Sequence, residues 1–435
     1  MKHVAFLSSL LIALVSLPAF ANDNWPQFRG PTGQGHSDST GLPTQWSEKE
    51  NVTWKTAIHG KGWSTPVVWG EQIWVTTATP DGKESSVLCI DRVSGKVLHD
   101  RVIFKNETVE PLGNPLNAYA SPSPTIEEGR VYVHFGSYGT ACIDTKTFKT
   151  IWERRDLPCR HYRGPGSSVV IFEDKLILTM DGVDVQYLAA LDKMTGKNVW
   201  KTDRTTDFKD LDEKTKKPKA EGDYRKAYTT PVIIDTGGGK LQLISPGARA
   251  VFAYDPNTGK EIWTAAFPGF SNATSAVYKD GVTYISTGHG KTEMLAIKTD
   301  GKGDVTNSHV LWRIGRNMPL QPSSVLVGNM LLQANDGGIA TCVDTKTGDL
   351  LWTERLGDGK EQYSSSAIYA DGKVYFFGRE GLGTVIEPAK EFKKIAVNKL
   401  DAGMMASPVV AGKSLILRTK THLYRIDAGA KVGKP

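Results

Sequence analysis

From residue 51 onward, the chain is a succession of short apolar runs separated by polar turns. One example is Val374-Tyr375-Phe376-Phe377, which follows the turn Asp371-Gly372. Glycine and aspartate supply the backbone geometry of tight turns between antiparallel strands. Almost no segment keeps the spacing of apolar residues that a long amphipathic helix requires. The pattern therefore predicts an all-β chain.

The strand pattern recurs eight times along the chain. Each unit begins with a hydroxyl residue that follows a small residue and precedes an apolar strand, and successive hydroxyl positions lie 42 to 63 residues apart. This period is typical of one four-stranded blade of a β-propeller. In this alignment the hydroxyl positions are Thr65, Ser121, Ser167, Thr230, Thr274, Ser323, Ser365 and Ser407.

A second motif closes each unit. The third strand ends in aspartate, a Thr-Gly-Lys-like turn follows, and the fourth strand carries tryptophan, as in Asp192, Gly196 and Trp200. Some units depart from this motif, with His99 at the tryptophan position of the first, Phe148 at the glycine position of the second and Phe392 in the seventh. The predicted docking tryptophans are Trp54, Trp152, Trp200, Trp263, Trp312 and Trp352.

The eighth unit ends at Asp427 without a tryptophan strand, whereas a spare one, Asn51 to Lys55, lies at the other end of the chain. If this strand completes the last blade, every sheet gains its fourth strand, and closure of the ring removes the open edge that an incomplete ring would expose. We therefore predict a single eight-bladed propeller of four-stranded antiparallel blades over residues 51–429. It is closed by pairing of the N- and C-terminal strands, with an N-terminal extension at 22–50 and a tail at 430–435.

The first residues resemble a secretory signal. Lys2 precedes an apolar run from Val4 to Val15, and the small-residue site Ala19-Phe20-Ala21 follows. The signal peptide is predicted at residues 1–21, with cleavage after Ala21. An uncleaved signal anchor is the alternative. No lipobox cysteine follows the apolar run, so the protein is expected to be periplasmic or secreted and not membrane-spanning.

Composition and charge change this picture little. The 44 glycines and 22 prolines among 435 residues suit a strand-and-turn architecture. A formal net charge of +6 is mild, and no basic run accompanies an aromatic platform, so the sequence gives no support for nucleic acid as a partner.

The spacing Ala/Cys-x-Asp-x-x-Thr-Gly-x-x-x-Trp resembles the tryptophan-docking repeat of the quinoprotein alcohol dehydrogenase-like superfamily. The segment Asn24-Trp25-Pro26-Gln27-Phe28-Arg29-Gly30-Pro31 resembles the start of the PQQ-binding-like β-propeller repeat proteins. The resemblance implies that each tryptophan packs on the glycine peptide of the neighbouring blade. It does not imply an activity, because the superfamily contains PQQ dehydrogenases and also non-catalytic propellers such as the assembly lipoprotein BamB.

The resemblance also implies what a working quinoprotein would need, namely an adjacent cysteine pair, a calcium site of acidic and amide ligands, and a tryptophan beneath the quinone. No two cysteines are adjacent here, and no Glu-Asn-Asp set matches the calcium ligands. We therefore expect a non-catalytic binding or scaffold protein without a cofactor. A PQQ- and calcium-dependent dehydrogenase is the alternative.

Loops on one face of the predicted ring are the longest, at Ile103–Ala118, Asp156–Pro165 and Thr205–Lys226. Binding usually lies on such loops. We expect this face to bind a protein, a peptide or a small polar ligand, an anionic one included, unless its residues only plug the channel. The predicted ligand-binding residues are Trp63, Tyr119, His161, Arg163, Tyr228, Arg249, Asn272, His289, Gln321, Tyr363 and Arg379.

The remaining chemical candidates have structural interpretations. Cys89, Cys142 and Cys342 occupy the small-residue position of the repeat, which favours packing thiols. Cys159 lies in a loop without an evident partner. His134 alternates with apolar residues in a strand, which favours a packing role over a metal ligand. The charged stretch Lys209 to Lys226 is interpreted as a solvated insertion, with a partner-docking loop as the alternative.

Overall fold

The computed structural model describes residues 23–430, and the predicted signal peptide and the last five residues lie outside the described residues. Eight antiparallel sheets surround one axis, as the repeat predicted. Apolar clusters fill the spaces between neighbouring sheets, so the core is distributed around the ring. Within residues 23–430, no helix is long and apolar enough to cross a membrane.

Each blade contains four strands, numbered here from the axis outward. Blade 1 consists of Val67–Trp69, Gln72–Ala78, Glu84–Asp91 and Val97–Lys105. Blade 2 consists of Thr125–Glu127, Arg130–His134, Thr140–Asp144 and Thr150–Arg154. Blade 3 consists of Val170–Phe172, Lys175–Asp181, Gln186–Asp192 and Asn198–Asp203. Blade 4 consists of Val232–Asp235, Leu241–Pro246, Ala250–Tyr254 and Glu261–Ala266.

The remaining blades follow the same order. Blade 5 consists of Val277–Lys279, Val282–Ser286, Met294–Lys298 and Val310–Ile314. Blade 6 consists of Val325–Val327, Met330–Ala334, Ile339–Asp344 and Leu350–Arg355. Blade 7 consists of Ile368–Ala370, Lys373–Phe377, Leu382–Glu387 and Lys393–Lys399. Blade 8 consists of Val409–Ala411, Ser414–Arg418, His422–Asp427 and Val52–Ala57.

Three short elements lie outside the blades. His36–Ser37 adds a parallel strand to the inner edge of blade 7, and Gly303–Asp304 adds one to the outer edge of blade 4. Lys219–Arg225, in the loop between blades 3 and 4, forms short 3₁₀ turns interrupted by a kink at Ala220, Glu221 and Gly222, where φ is positive. The second of these strands belongs to a blade-5 insertion, which therefore covers the edge of its neighbour.

The predicted closure of the ring is confirmed. Val52–Ala57 pairs antiparallel with His422–Asp427, so the outer strand of blade 8 comes from the N-terminal side of the chain. A β-bulge precedes the tryptophan position in this pair, between Val52 and Trp54, and the other blades have a bulge at the same place. A bulge adds twist and redirects the next side chain. Here the redirected side chain is that of Trp54, which docks on the next blade.

Tryptophan docking joins consecutive blades. The Trp54 indole of blade 8 lies against Gly95 of blade 1, and its Nε1 donates to the Arg92 carbonyl at 3.0 Å. Gly95 has φ of 73°, a conformation that an L side chain adopts only with strain. The same arrangement joins Trp152 to Gly196, Trp200 to Gly259 and Trp312 to Gly348.

The exceptions to the docking motif have compensating contacts. His99 of blade 1 stacks on Phe148 of blade 2, with ring centroids 4.6 Å apart. This stacking contact takes the place of the tryptophan–glycine contact that joins other pairs of blades. The Trp263 indole donates to Gln242 of its own blade at 3.0 Å and does not dock on a glycine turn. In blade 7, Ala396 occupies the tryptophan position, and Phe392 packs against Trp352.

The hydroxyl residues of the repeat form a closed ring around the axis. In seven of the eight links, a backbone N–H of one blade donates to the hydroxyl oxygen of the next, at 2.9 to 3.1 Å. In the remaining link, the Ser275 hydroxyl donates to the Thr230 carbonyl. The members are Thr65, Ser123, Ser168, Thr230, Ser275, Ser323, Ser366 and Ser407. The sequence alignment was therefore wrong by one or two residues in blades 2, 3, 5 and 7.

The N-terminal extension crosses the axis on the side opposite the long loops. Trp25 exchanges backbone hydrogen bonds with Val68 of blade 1, and the Gln34 side chain accepts from the Tyr278 N–H of blade 5. Between them, Arg29 is fully buried and donates to the carbonyls of Ser324 and Ala367, in blades 6 and 7. The extension is thus a plug that spans the ring.

The contact between Trp54 and Gly95 predicts a difference between two glycine substitutions. A Cβ at Gly95 would lie 2.7 Å from Trp54, whereas a Cβ at Gly129, whose φ is 78°, would meet nothing within 4 Å. Gly129→Ala should cost only backbone strain, about 1 kcal/mol of unfolding free energy. Gly95→Ala should cost about 3 kcal/mol, because overpacking adds to the strain. Urea unfolding measures both values, and equal losses would contradict the docking role of Gly95.

Candidate functional site

A cavity of about 430 Å³ occupies the axis at the end that carries the long loops. Its walls come from the loops that connect each fourth strand to the next blade and from the loop at His289. Its floor is formed by members of the hydroxyl ring and by Phe28 of the N-terminal plug. The cavity is therefore closed from below and open to the loop-rich face.

The wall at Trp63 is held in place by its neighbours. The Trp63 indole donates to the Leu116 carbonyl at 2.8 Å. The Asn117 side chain donates to the carbonyls of Arg163 and Pro165, and its oxygen accepts from the Ser121 hydroxyl at 2.6 Å. These bonds tie the first two long loops together and fix the aromatic face of the wall before a ligand arrives.

The adjoining wall contains an ion pair. Arg163 donates to both carboxylate oxygens of Asp223, at 2.8 and 2.9 Å, and hydrogen bonding to that carboxylate raises the pKa of Arg163. Such bidentate pairs fix geometry as well as charge. The charge of Arg163, one of the predicted ligand-binding residues, is therefore neutralised by a carboxylate from the next loop.

That carboxylate belongs to the charged insertion, which is not simply solvated. Arg225 pairs with Asp210, which is nearly fully buried, at 2.7 Å. Tyr224 packs edge-on against Phe270, a residue of the cavity wall. The interpretation of residues 209–226 as a solvated insertion was therefore incomplete, because the segment folds back and builds part of the wall.

Gln321 presents a free amide group to the cavity. Its oxygen accepts hydrogen bonds from the Ser364 hydroxyl at 2.7 Å and from Arg379 at 3.2 Å. Its amide nitrogen has no acceptor among residues 23–430 and is available to a ligand. Arg379 itself lies behind Gln321 and orients it.

The structure brings together five of the eleven predicted residues, and their ligand-binding role stays a prediction. Those that line the cavity are Trp63, Arg163, Tyr228, His289 and Gln321. Those that lie elsewhere are Tyr119, His161, Arg249, Asn272, Tyr363 and Arg379. Tyr119 and Tyr363 are buried between blades because their rings pack into apolar clusters. Arg249 lies outside the cavity, over Phe270 and Tyr224.

Several lining residues were not predicted from the sequence, namely Phe28, Asn114, Leu116, Asn117, Asp223, Phe270, Ser271 and Met405. Half of them, Asn114, Leu116, Asn117 and Asp223, lie in the loops already identified as long, so for these loop length was the available signal. Phe28 had no such signal, because nothing in its local sequence shows that the extension crosses the axis.

Beside the cavity, a buried polar cluster surrounds Lys226. The Lys226 ammonium donates to the Asp181 carbonyl at 3.1 Å and lies 3.5 Å from His161 Nδ1, and burial lowers its pKa. His161 Nε2 accepts from the Ser137 N–H, and its Nδ1 is 3.7 Å from Cys159 Sγ. The pKa of His161 is held well below its usual value by burial and by Lys226. The cluster anchors the loops behind the wall.

The four cysteines are free and buried. Burial raises the pKa of the Cys89, Cys142 and Cys342 thiols to about 12 and raises that of Cys159 as well. A thiol with a raised pKa is a weak nucleophile and a poor metal ligand at neutral pH. The predicted packing role agrees with this environment.

The donor set does not fit a quinone–calcium centre. Calcium requires several oxygen ligands, most of them carboxylates or carbonyls. Among the lining residues within 23–430, Asp223 is the one carboxylate, and it is already bonded to Arg163. In the same range, no three His, Cys, Asp or Glu side chains come together in a way that could hold a metal ion.

With this geometry in hand, comparison with known proteins gives the family. The family model described as "Outer membrane protein assembly factor BamB" matches residues 44–223 and 184–431. The chain belongs to this family of PQQ-like β-propellers. A family that includes both assembly factors and dehydrogenase-like rings does not by itself specify a role.

The individual proteins that resemble this chain include a BamB and two dehydrogenases. The 1-butanol dehydrogenase (quinone) of Thauera butanivorans is 26% identical over 274 residues, which are 57% of this chain and 38% of that enzyme. BamB from Moraxella catarrhalis aligns with a TM-score of 0.59 at 12% identity, over 86% of this chain and 99% of its own. The quinohemoprotein alcohol dehydrogenase from Comamonas testosteroni aligns with a TM-score of 0.66 at 12% identity, over 96% and 82%. At such identities the structures show the shared fold alone.

The buried histidines predict an acid-sensitive fold. His134 bonds to Thr140 at 2.8 Å, and burial lowers its pKa to about 4. The unfolded chain binds a proton below about pH 6.5, whereas the folded one does not until about pH 4. Stability from His134 is therefore lost as the pH falls through this window, by about 2 kcal/mol between pH 6.5 and 5.

Urea unfolding at pH 7 and pH 5 tests this expectation. His134→Asn should lose less unfolding free energy over this interval than the wild type, even if it is less stable at pH 7. The exposed His59 provides the control, and His59→Asn should keep the wild-type dependence. An unchanged pH dependence in His134→Asn would argue against the assignment.

Proposed function

We propose that this PQQ-like propeller is an exported, non-catalytic binding protein whose axial cavity takes a polar ligand or a peptide segment from the loop-rich face. The observation that carries the proposal is the cavity itself, closed below by Phe28 and open above. Concave sites of this size, with aromatic walls and a few polar groups, are the usual places for ligand binding.

The lining suits a ligand that is both flat and polar. Trp63, Tyr228 and Phe270 supply aromatic contact area, and the free amide of Gln321 supplies a donor. Aromatic side chains give large contact areas with little loss of side-chain entropy. Hydrogen bonds within the wall hold these groups in place, which lowers the cost of binding.

Export is the second part of the proposal and rests on the sequence of residues 1–21. Expression of the full chain in a Gram-negative host, followed by N-terminal sequencing of the periplasmic fraction, tests it. A mature protein that begins at Asn22 is expected. Retention of Met1 in a membrane fraction would instead indicate an uncleaved anchor.

A quinone-dependent dehydrogenase is the alternative, favoured by the identity with the butanol dehydrogenase. Titration of the purified mature protein with PQQ and Ca²⁺, followed by an assay of 1-butanol-dependent dye reduction, separates the two. We expect no calcium-dependent quinone binding and no dye reduction, because the wall lacks free carboxylates. Stoichiometric quinone binding with turnover would overturn the binding-protein proposal.

A cavity-filling variant tests the binding site directly. Ala273 lines the cavity, and Ala273→Trp should occupy it, whereas Lys197→Trp places the same side chain on an exposed turn of the opposite face. Each protein is incubated with the small-molecule fraction of a periplasmic extract and analysed by native mass spectrometry. Wild type and Lys197→Trp should retain a ligand mass that Ala273→Trp loses. Equal retention by all three, or by none, would contradict the proposal.

A further inference from the structure

The hydroxyl ring has hydrogen-bond donors that the protein does not use. Each hydroxyl has one donor and can accept two bonds. In seven members, the oxygen accepts a backbone N–H from the preceding blade. Within residues 23–430, none of these seven hydroxyls donates a hydrogen bond to the protein, whereas Ser275 donates to the Thr230 carbonyl.

Six of the seven line the floor of the cavity. They are Thr65, Ser123, Ser168, Thr230, Ser366 and Ser407. Their oxygen atoms are held by the bonds that they accept, and each O–H can still rotate about its Cβ–O bond toward a ligand acceptor. One cavity is therefore lined by unused hydroxyl donors from six different blades.

Two buried guanidinium groups lie beside this ring. Arg29 donates to the carbonyl of Ser324, next to ring member Ser323, and Arg418 donates to the carbonyl of Ser64 at 3.0 Å, next to Thr65. Both side chains are fully buried, and burial lowers the pKa of each to about 9, so both remain charged at neutral pH. Neither forms an ion pair with any residue in 23–430.

The cavity offers these charges no compensation. Asp223, the carboxylate of the wall, is bonded to Arg163 by both of its oxygens. Buried charge without a counter-ion is costly, and a bound anion would offset part of that cost. The same field disfavours a cation at the floor.

We propose that the cavity floor is a carboxylate-binding site, in which hydroxyl groups of the ring donate to the carboxylate and Arg29 and Arg418 supply the positive field. The inference rests on the proposed binding function and specifies its ligand as an organic anion with a flat or aromatic body against Trp63 and Phe28. A small organic acid and the C-terminal carboxylate of a peptide share this chemistry.

Equilibrium dialysis with 2-naphthoate and its neutral counterpart 2-naphthamide, at fixed ionic strength and pH 7, tests the site. The mature wild-type protein should bind naphthoate at least about tenfold more tightly than the amide, because a charge-assisted hydrogen bond is stronger than a neutral one. A parallel pair, the tripeptide Ala-Ala-Phe with a free or an amidated C-terminus, distinguishes the sources. Preference for the free tripeptide over naphthoate would indicate a peptide terminus, and the reverse order a small acid.

Two ring serines provide a matched pair of variants. Ser366 faces the cavity and Ser323 does not, yet each accepts one backbone N–H. Ser366→Ala should weaken naphthoate binding about fivefold to tenfold and leave naphthamide unchanged. Because each serine accepts one backbone N–H, Ser323→Ala and Ser366→Ala should lower the Tm by similar amounts. Ser323→Ala should leave the affinity for naphthoate unchanged.

The outcomes separate this inference from the proposed function. Equal affinity for naphthoate and naphthamide, or equal effects of the two serine variants, would overturn the carboxylate site while the binding cavity stands. Absence of binding by naphthoate and by the free tripeptide would also overturn it. The extract experiment with Ala273→Trp decides the proposed function separately.

Discussion

The structure depends on one constraint, that every blade must bury its faces against its two neighbours, so the eighth blade must pack against the first. Each blade satisfies its own strands, but the ring holds together only where one blade contacts the next. The pairing of Val52–Ala57 with His422–Asp427 completes the last sheet from the opposite end of the chain. The Trp54 indole then joins that sheet to the first one through Gly95. A bulge before each tryptophan position turns the side chain toward the neighbour, so closure and docking are two results of the same local geometry.

Much of the ring was accessible from sequence because its motifs are local. The Asp-Gly-Trp spacing predicted which tryptophans dock, and four of the six do so on a glycine turn. Trp263 departs because Gln242 accepts a hydrogen bond from its indole, and this partner lies two strands away and leaves no spacing signal. The stacking of His99 on Phe148 was equally hidden, since each residue alone looked like a loss of the motif. The recurring hydroxyl position was identified from the sequence but misaligned in half of the blades, because adjacent serines and threonines cannot be distinguished by type. The hydrogen-bonded ring that these residues form was not predicted.

The site was harder to predict than the fold for a physical reason. Loop residues that look alike in sequence can lie in different places. Tyr228 lines the axial cavity, whereas Tyr119 fills the space between two blades. Electrostatics are equally non-local. The charge of Arg163 is neutralised by Asp223, which lies sixty residues later in the chain, so the local sequence around Arg163 does not reveal the pair. Arg29 and Arg418 carry the uncompensated charge instead, and neither was prominent in the sequence.

The N-terminal plug has a consequence for how the molecule is assembled. Its partners are distributed around the whole ring, from Val68 of blade 1 to Tyr369 of blade 7. The strand that follows it pairs with residues at the far end of the chain. Contacts between such distant segments form late, because they require the intervening chain to be ordered first. We therefore expect the plug and the strand Val52–Ala57 to be among the last segments to reach their places. A chain that lacks His422–Asp427 would leave Val52–Ala57 without the strand that it pairs with.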